Sequence, residues 1–326
     1  MTVSVVIPNW NGKHLLKICL KSLQAQTLKD FEIIVVDNGS IDGSKEYIAR
    51  YFPKVRVIPL DKNYGFAKAV NDGIKASSAS MVALINNDTE VDKNCLKYLY
   101  QAARTHPRLG FVAAKMLNYY DRGKIDSAGD YIDVVGHANN IGLGELDGPK
   151  FNRAGEVFLV TGGGGLFKKS VFEKVGYLDG DYFAYFEDVD LCLRAQLVGF
   201  KGYFEPKAKI YHIHKATSNM VRPLAEYWQF RNMTQTIIKD FPTALLLKNF
   251  NWLRILLVNL NTIRFLASQA LTLRALQAEG WILIHLPVLL WKRYQIQKAK
   301  TVSDEYIISN FRDKKITLFG LIKNGI

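Results

Sequence analysis

The chain has 326 residues, 48% hydrophobic and 22% charged, which is ample for one large domain with an appendage and too apolar for a disordered chain. Lys and Arg number 43 against 30 Asp and Glu, a formal charge of +13. From residue 201 onward 19 basic side chains face 7 acidic ones, so the C-terminal third is a cationic block suited to an acidic partner surface. Three scattered cysteines, Cys19, Cys95 and Cys192, exclude a disulfide framework or a CxxC zinc site, and the strand-like residues 2–7 predict no cleaved signal peptide.

Short apolar runs at 2–7, 32–36, 55–59, 81–85 and 111–114 alternate with helical spacings such as Leu16, Cys19, Leu20, Leu23 and Phe66, Val70, Ile74. Strands alternating with helices predict a mostly parallel sheet covered on both faces, with ligands beyond the strands' carboxyl ends. Residues 116–160 lack periodicity and read as irregular. A glycine run, residues 162–165, precedes a helix opened near Glu187. Beyond Pro223 the pattern is helical, with Tyr227, Phe230, Met233 and Ile237 three or four apart. The longest uncharged stretch there, residues 280–291, is too short to span a bilayer, so this region is expected to lie on a membrane rather than cross it.

Each strand end carries polar residues. Pro8-Asn9-Trp10-Asn11 follows the first, and its amides and indole suit a planar base, although a plain strand-to-helix turn would look the same. Asp37-Asn38-Gly39-Ser40 follows the second, where an acid can accept from a base or ribose. Asn86-Asn87-Asp88 follows the fourth, and a carboxylate there suits a divalent cation or, equally, a capped turn. Glu187, Asp188 and Asp190 crowd a helix start behind the aromatics Tyr185 and Phe186. The helix dipole alone explains clustered acids, while apolar walls would lift one towards the range of a general base. His212 and His214 end a strand-like run, where neutral imidazoles could ligate metal or serve structure alone.

In this order the segments resemble glycosyltransferase family 2, inverting enzymes of the GT-A fold, over about residues 2–240. The resemblance implies an α/β, Rossmann-like, mostly parallel central sheet with helices on both faces plus a helical C-terminal extension, divided as 1–222 (nucleotide-sugar binding and catalysis) and 223–326. It assigns the donor nucleotide to Pro8, Asn9, Trp10, Asn11, Asp37, Asn38, Ser40, Asn63, Gly65, Phe66, Asn71 and Asn87. It assigns Mg²⁺ or Mn²⁺ to Asp88, Asn86 and His212, and catalysis to Asp188 as base beside Glu187. Gly163, Gly164, Asp190 and His214 fall to the acceptor or the donor sugar. Asn38 and Asn86, standing where acids are common, and the missing QxxRW segment look like the rhamnosyltransferase-type subgroup, whose donor is often dTDP-rhamnose. A UDP-sugar of galactose, glucose or galactofuranose type is the alternative. The implied acceptor is a lipid-linked saccharide or cell-surface polysaccharide. The implied location is cytoplasmic, peripheral on an anionic membrane surface, with a homodimer through the C-terminal helices as the other use of those helices. A Rossmann oxidoreductase is disfavoured because no GxGxxG follows a strand. A nucleic-acid binder is disfavoured because the positive charge sits among large apolar side chains.

Overall fold

The computed structural model describes residues 1–213 and 222–313. Val3–Asn9 (β1) is β-branched and apolar at Val3 and from Val5 to Ile7, as suits a strand buried on both faces. Lys13–Gln24 (α1) returns along the sheet, burying Leu16, Cys19, Leu20 and Leu23 as one stripe. Phe31–Asn38 (β2), Ser44–Tyr51 (α2), Arg56–Leu60 (β3), Phe66–Ala76 (α3) and Met81–Ile85 (β4) repeat the unit. Thr89–Val91 (β5), Cys95–Thr105 (α4) and Leu109–Asn118 (β6) follow. Residues 116–160, expected to be irregular, hold four three-residue strands: Ile125–Ser127 (β7), Asp130–Ile132 (β8), Ala138–Asn140 (β9) and Gly155–Val157 (β10). Strands this short have no readable periodicity and depend on distant partners. Gly164–Lys168 (β11), Lys169–Val175 (α5), Glu187–Leu197 (α6) and Lys201–His212 (β12) complete the sheet region. Arg222–Asp240 (α7), Thr243–Leu247 (α8), Asn251–Ser268 (α9), Thr272–Ala299 (α10) and Asp304–Ser309 (α11) form the helical C-terminal part.

The main sheet has the order β10-β12-β6-β11-β4-β1-β2-β3, with β5 added on β12 and β7 on β6. Strands β1 to β4 are mutually parallel, as are β6 and β12, whereas β11 runs antiparallel to both its neighbours, β4 and β6. Alternation along β1 sends Val5 and Ile7 towards α1 and α4, and Val6 towards α3. The chain winds from β1 out to β3 and then lays β4 on the other side of β1. Strand order therefore reverses between β1 and β4, which opens a crevice at their carboxyl ends.

Behind the crevice lies a buried charge cluster. Asp190 on α6 is fully buried and accepts from Arg194 Nε at 2.9 Å and from Lys239 Nζ of α7 at 2.7 Å. Lys239 also reaches Asp179 at 2.7 Å, and Lys292 of α10 donates to Asp179 and Asp181, each at 2.7 Å. Burial alone would raise the Asp179 carboxyl, but the two lysines outweigh it and hold the group well below the usual range. All three thiols are buried, and burial pushes that of Cys19 up to about 12.

Helix α10 differs from the sequence expectation. Charged residues interrupt its apolar run, yet its 28 residues, with a window of mean hydropathy 1.2, are long and apolar enough by length and composition to cross a membrane. It is nevertheless fastened to the protein: besides the Lys292 pairs, Arg293 Nη1 donates to the carbonyls of Ile238 and Phe241 at 2.8 Å.

Replacing Asp190 with Ala leaves Arg194 and Lys239 buried without their shared partner. We expect a loss of about 3–5 kcal/mol in urea unfolding; an unchanged midpoint would show that the cluster adds nothing to stability.

Candidate active site

The ends of β1, β2 and β4 are tied together by side-chain amides. Asn9 donates to Asp37 Oδ2 at 3.1 Å and to Ser40 Oγ at 3.2 Å, and its own Oδ1 accepts from Asn87 Nδ2 at 2.7 Å. Asp37 Oδ1 accepts the Ser40 N–H, and Ser40 Oγ accepts the Asn11 N–H. Pro8, Trp10 and Asn11 line this edge half-buried. Asn38 reaches the next loop, donating to Asn63 Oδ1 and the Gly65 carbonyl and accepting from the Tyr64 N–H. Eight of the twelve residues assigned to the nucleotide therefore form two hydrogen-bonded groups, joined through the Asp37–Asn38 peptide, around one rim.

Beyond β4, the glycine run sets the distances. The Asn86 N–H donates to the Gly163 carbonyl, and a Cβ on Gly163 would lie 2.2 Å from Asn86 Nδ2. A Cβ on Gly162 would lie 3.1 Å from that of Asp188, and the Gly162 N–H donates to Asp188 Oδ2 at 2.8 Å. Two residues without side chains thus bring Asn86 and Asp188 onto adjacent stations of one backbone. Gly164 is packed instead on the sulfur of Met116.

Burial raises the Asp188 carboxyl above the ordinary value even though the N–H groups of Gly162 and Val189 favour its charged form. Glu187 is 5% exposed and raised well above its usual range, first by burial and then by the charge of Asp188. The backbone delivering this pair is strained: Phe183, Tyr185 and Phe186 have φ of 35°, 68° and 69°, positions that cost on the order of 1–3 kcal/mol each for residues other than glycine. Gly65 permits that shape from the opposite side, since a Cβ there would strike the Phe183 carbonyl oxygen at 2.5 Å, and the Phe66 N–H donates to the same oxygen.

Asp88 follows β4 directly, and pairing of β5 with β12 sets His212 opposite Thr89. His212 Nε2 lies 3.5 Å from Asp88 Oδ2, and Nδ1 lies 2.8 Å from Asp126 Oδ2. Burial disfavours the imidazolium, but the two carboxylates outweigh it and raise His212 to about 10. Among the described residues no three His, Cys, Asp or Glu side chains converge as a ready metal site. The buried Oδ1 atoms of Asp88 and Asn86 nevertheless have no hydrogen-bond partner among the described residues. Two orphaned oxygens at the mouth of the crevice fit a hard cation that draws its remaining ligands from a bound phosphate.

Two acids in the stretch read as irregular belong to this neighbourhood. Asp126 of β7 orients His212, and Asp130 of β8 accepts from Ser127 Oγ at 2.8 Å while feeling the charge of Asp188. Their only sequence signal is an acid beside apolar residues in Ile125-Asp126-Ser127 and Asp130-Tyr131-Ile132, which is indistinguishable from loop composition. Two expected site residues are turned elsewhere. Asn71 spends both ends of its amide on the Leu178 backbone, and Asp190 is fully buried in the charge cluster, paired with Arg194 and Lys239. His214 lies outside the described residues.

The comparisons agree with this geometry. Residues 4–176 match the Glycosyl transferase family 2 domain, and the chain belongs to that family. An uncharacterized protein, y4gI, of Sinorhizobium fredii is 30% identical over 66% of this chain and 25% of its own length. Poly-beta-1,6-N-acetyl-D-glucosamine synthases are 25% identical in Staphylococcus epidermidis and 27% in Staphylococcus aureus, each over 76% of this chain and 58% of theirs. The crystal structure of S. aureus TarS aligns with a TM-score of 0.52 at 20% identity, over 81% of this chain and 43% of that one, a likeness of fold. The chain thus spans between a quarter and about three fifths of its relatives' lengths.

Burial and then Asp188 raise Asp130 to about 8 from 3.8, so the stability its protonation contributes is fully present below pH 3.8 and is lost progressively as pH rises to about 8. Asp130→Asn removes that titration. Thermal melts should show the variant gaining on the wild type between pH 5 and pH 8; parallel profiles would mean that Asp130 is already ionised.

Proposed function

We propose that the chain transfers a sugar from a nucleoside-diphosphate donor to a hydroxyl of a lipid-linked saccharide or polysaccharide, inverting the anomeric carbon. The observation that carries this reading is Asp188, a carboxylate lifted by burial, pinned by the Gly162 N–H and held next to the Asn86–Asp88 turn. Asp188 takes the acceptor's proton, the acceptor oxygen bonds to the anomeric carbon, and the bond from that carbon to the diphosphate oxygen breaks with its electron pair leaving on the diphosphate. Asp37 and the amides of Asn9 and Asn11 orient the nucleotide base and ribose, and Trp10 supplies a face for stacking. Mg²⁺ or Mn²⁺, held by Asp88 Oδ1, the Asn86 amide oxygen and His212 once neutral, would offset the charge of the departing diphosphate.

For the donor, the amides at Asn38 and Asn86 support dTDP-rhamnose. A second reading rests on the named staphylococcal relatives, whose product favours UDP-N-acetylglucosamine. The C-terminal helices support peripheral attachment to the cytoplasmic face of a membrane. Leu273, Leu276, Leu283, Ile284 and Trp291 of α10 are 61–77% exposed, and the surrounding charge is positive.

Asp188→Asn should lower turnover by about 10²–10⁴-fold while calorimetric binding of dTDP or UDP stays unchanged. Donor hydrolysis across dTDP-, UDP- and GDP-sugars, with Mg²⁺, Mn²⁺ or EDTA, reads the donor and the metal together. Wild-type turnover in the Asn variant would remove Asp188 from the mechanism. For the helices, Leu283→Asp with Ile284→Asp should abolish co-sedimentation with phosphatidylglycerol vesicles. Unchanged sedimentation would refute the membrane reading, and loss of a dimer in the same variant would assign the face to a second copy.

A further inference from the structure

The strained segment that delivers Glu187 and Asp188 is held from outside the sheet. Asn232 on α7 is fully buried, and its Nδ2 donates to the carbonyls of Tyr182 at 3.3 Å, Ala184 at 2.8 Å and Tyr185 at 2.7 Å. Its Oδ1 accepts from Arg231 Nε at 2.9 Å and from Gln235 Nε2 at 2.8 Å. The loop offers only acceptors and the Arg231 guanidinium only donors, so the amide has one workable orientation. Arg231 adds a bond from Nη2 to the Asp181 carbonyl, and its guanidinium lies 4.5 Å from the Trp281 ring of α10. Lys292, about three turns further along α10, holds the side chains of Asp179 and Asp181 at the start of the same segment. Trp228 of α7 stacks on Phe183, ring centroids 4.6 Å apart.

We infer that Asn232, with Arg231 and Lys292, is a set of positioning residues that clamps residues 179–186 and thereby sets where Asp188 stands. None of the three touches the Asp37 or Asp88 side of the crevice, so their effect falls on the base rather than on the nucleotide. Backbone at positive φ does not stay there unaided. The amide donors of Asn232 reward the carbonyl directions that this shape creates, and α10 braces the α7 side chain that helps to orient it. The inference rests on the reading of Asp188 as base, and it extends the set of residues that shape the active site into α7 and α10.

The test compares Asn232→Asp, Lys292→Met and Asp188→Asn in the full chain. Asn232→Asp keeps the oxygen facing Arg231 and Gln235 but replaces the donor with an acceptor. Lys292→Met removes only the outer tether, leaving Asp179 paired with Lys239. Nucleotide release from dTDP-rhamnose and UDP-N-acetylglucosamine, dTDP and UDP affinity by calorimetry, and hydrogen exchange across residues 181–190 are measured on each. A misplaced reacting group costs up to about 10²-fold, so kcat should fall towards that limit in Asn232→Asp and less in Lys292→Met. Exchange should quicken across 181–190, with nucleotide affinity unchanged. Wild-type kcat and exchange in both variants, beside an inactive Asp188→Asn, would overturn the clamp alone. Nucleotide affinity falling in step with kcat would also overturn it. An active Asp188→Asn would overturn the base itself, which is a separate failure. If Asn232→Asp does not fold, Lys292→Met decides.

Discussion

The register of β11 against β4 is the constraint on which the site depends. With Gly164 opposite Ile85, the two preceding glycines arrive where β4 ends, one against Asn86 and the other against Asp188. An antiparallel strand among parallel neighbours runs its start, not its end, to the carboxyl edge of the sheet. That is how a segment entering β11 can meet the turn leaving β4. A side chain at either glycine would push the Asn86–Asp88 turn or the start of α6 away from this backbone. The chemistry of both depends on their sharing one crevice, so the spacing follows from backbone packing before any ligand is considered.

A second constraint is electrical. Five charged groups, Asp179, Asp190, Arg194, Lys239 and Lys292, come from four different elements and are largely withdrawn from water. Such clusters gain little net stability over an apolar core, but breaking one is costly because the survivors remain buried. Their value here is directional. Ion pairs at fixed distances specify how α6, α7 and α10 meet, where apolar packing would tolerate sliding. The helical C-terminal part is thereby joined in register to the helix that carries Asp188.

The parallel half of the fold was legible because local pattern and burial coincide there. Residues 5–7 and 81–85 are apolar throughout, and the polar residues after them fall at the crevice. Elsewhere the information is non-local. β7 to β10 are three residues each and exist through pairing with β6, with each other and with β12, so nothing in residues 116–160 announces them. Asp126 and Asp130 were invisible for that reason. Asp190 and Asn71 looked functional because acids near a helix start and amides one turn past a loop are common in sites. Only their partners, Lys239 and Leu178, reveal that they belong to the framework. α10 was underestimated because its charges interrupt the apolar count, while a helix distributes them around its circumference.

The three cysteines have a practical consequence. Each thiol is sealed in the core, and Cys19 is held neutral far above physiological pH, so the folded surface carries no reactive thiolate. A single cysteine introduced at Tyr64, 40% exposed on the rim of the crevice, would be the one exposed thiol that a maleimide dye meets. The native chain is in effect already prepared for site-selective fluorescence labelling, and slow appearance of further label would count molecules that have opened their core.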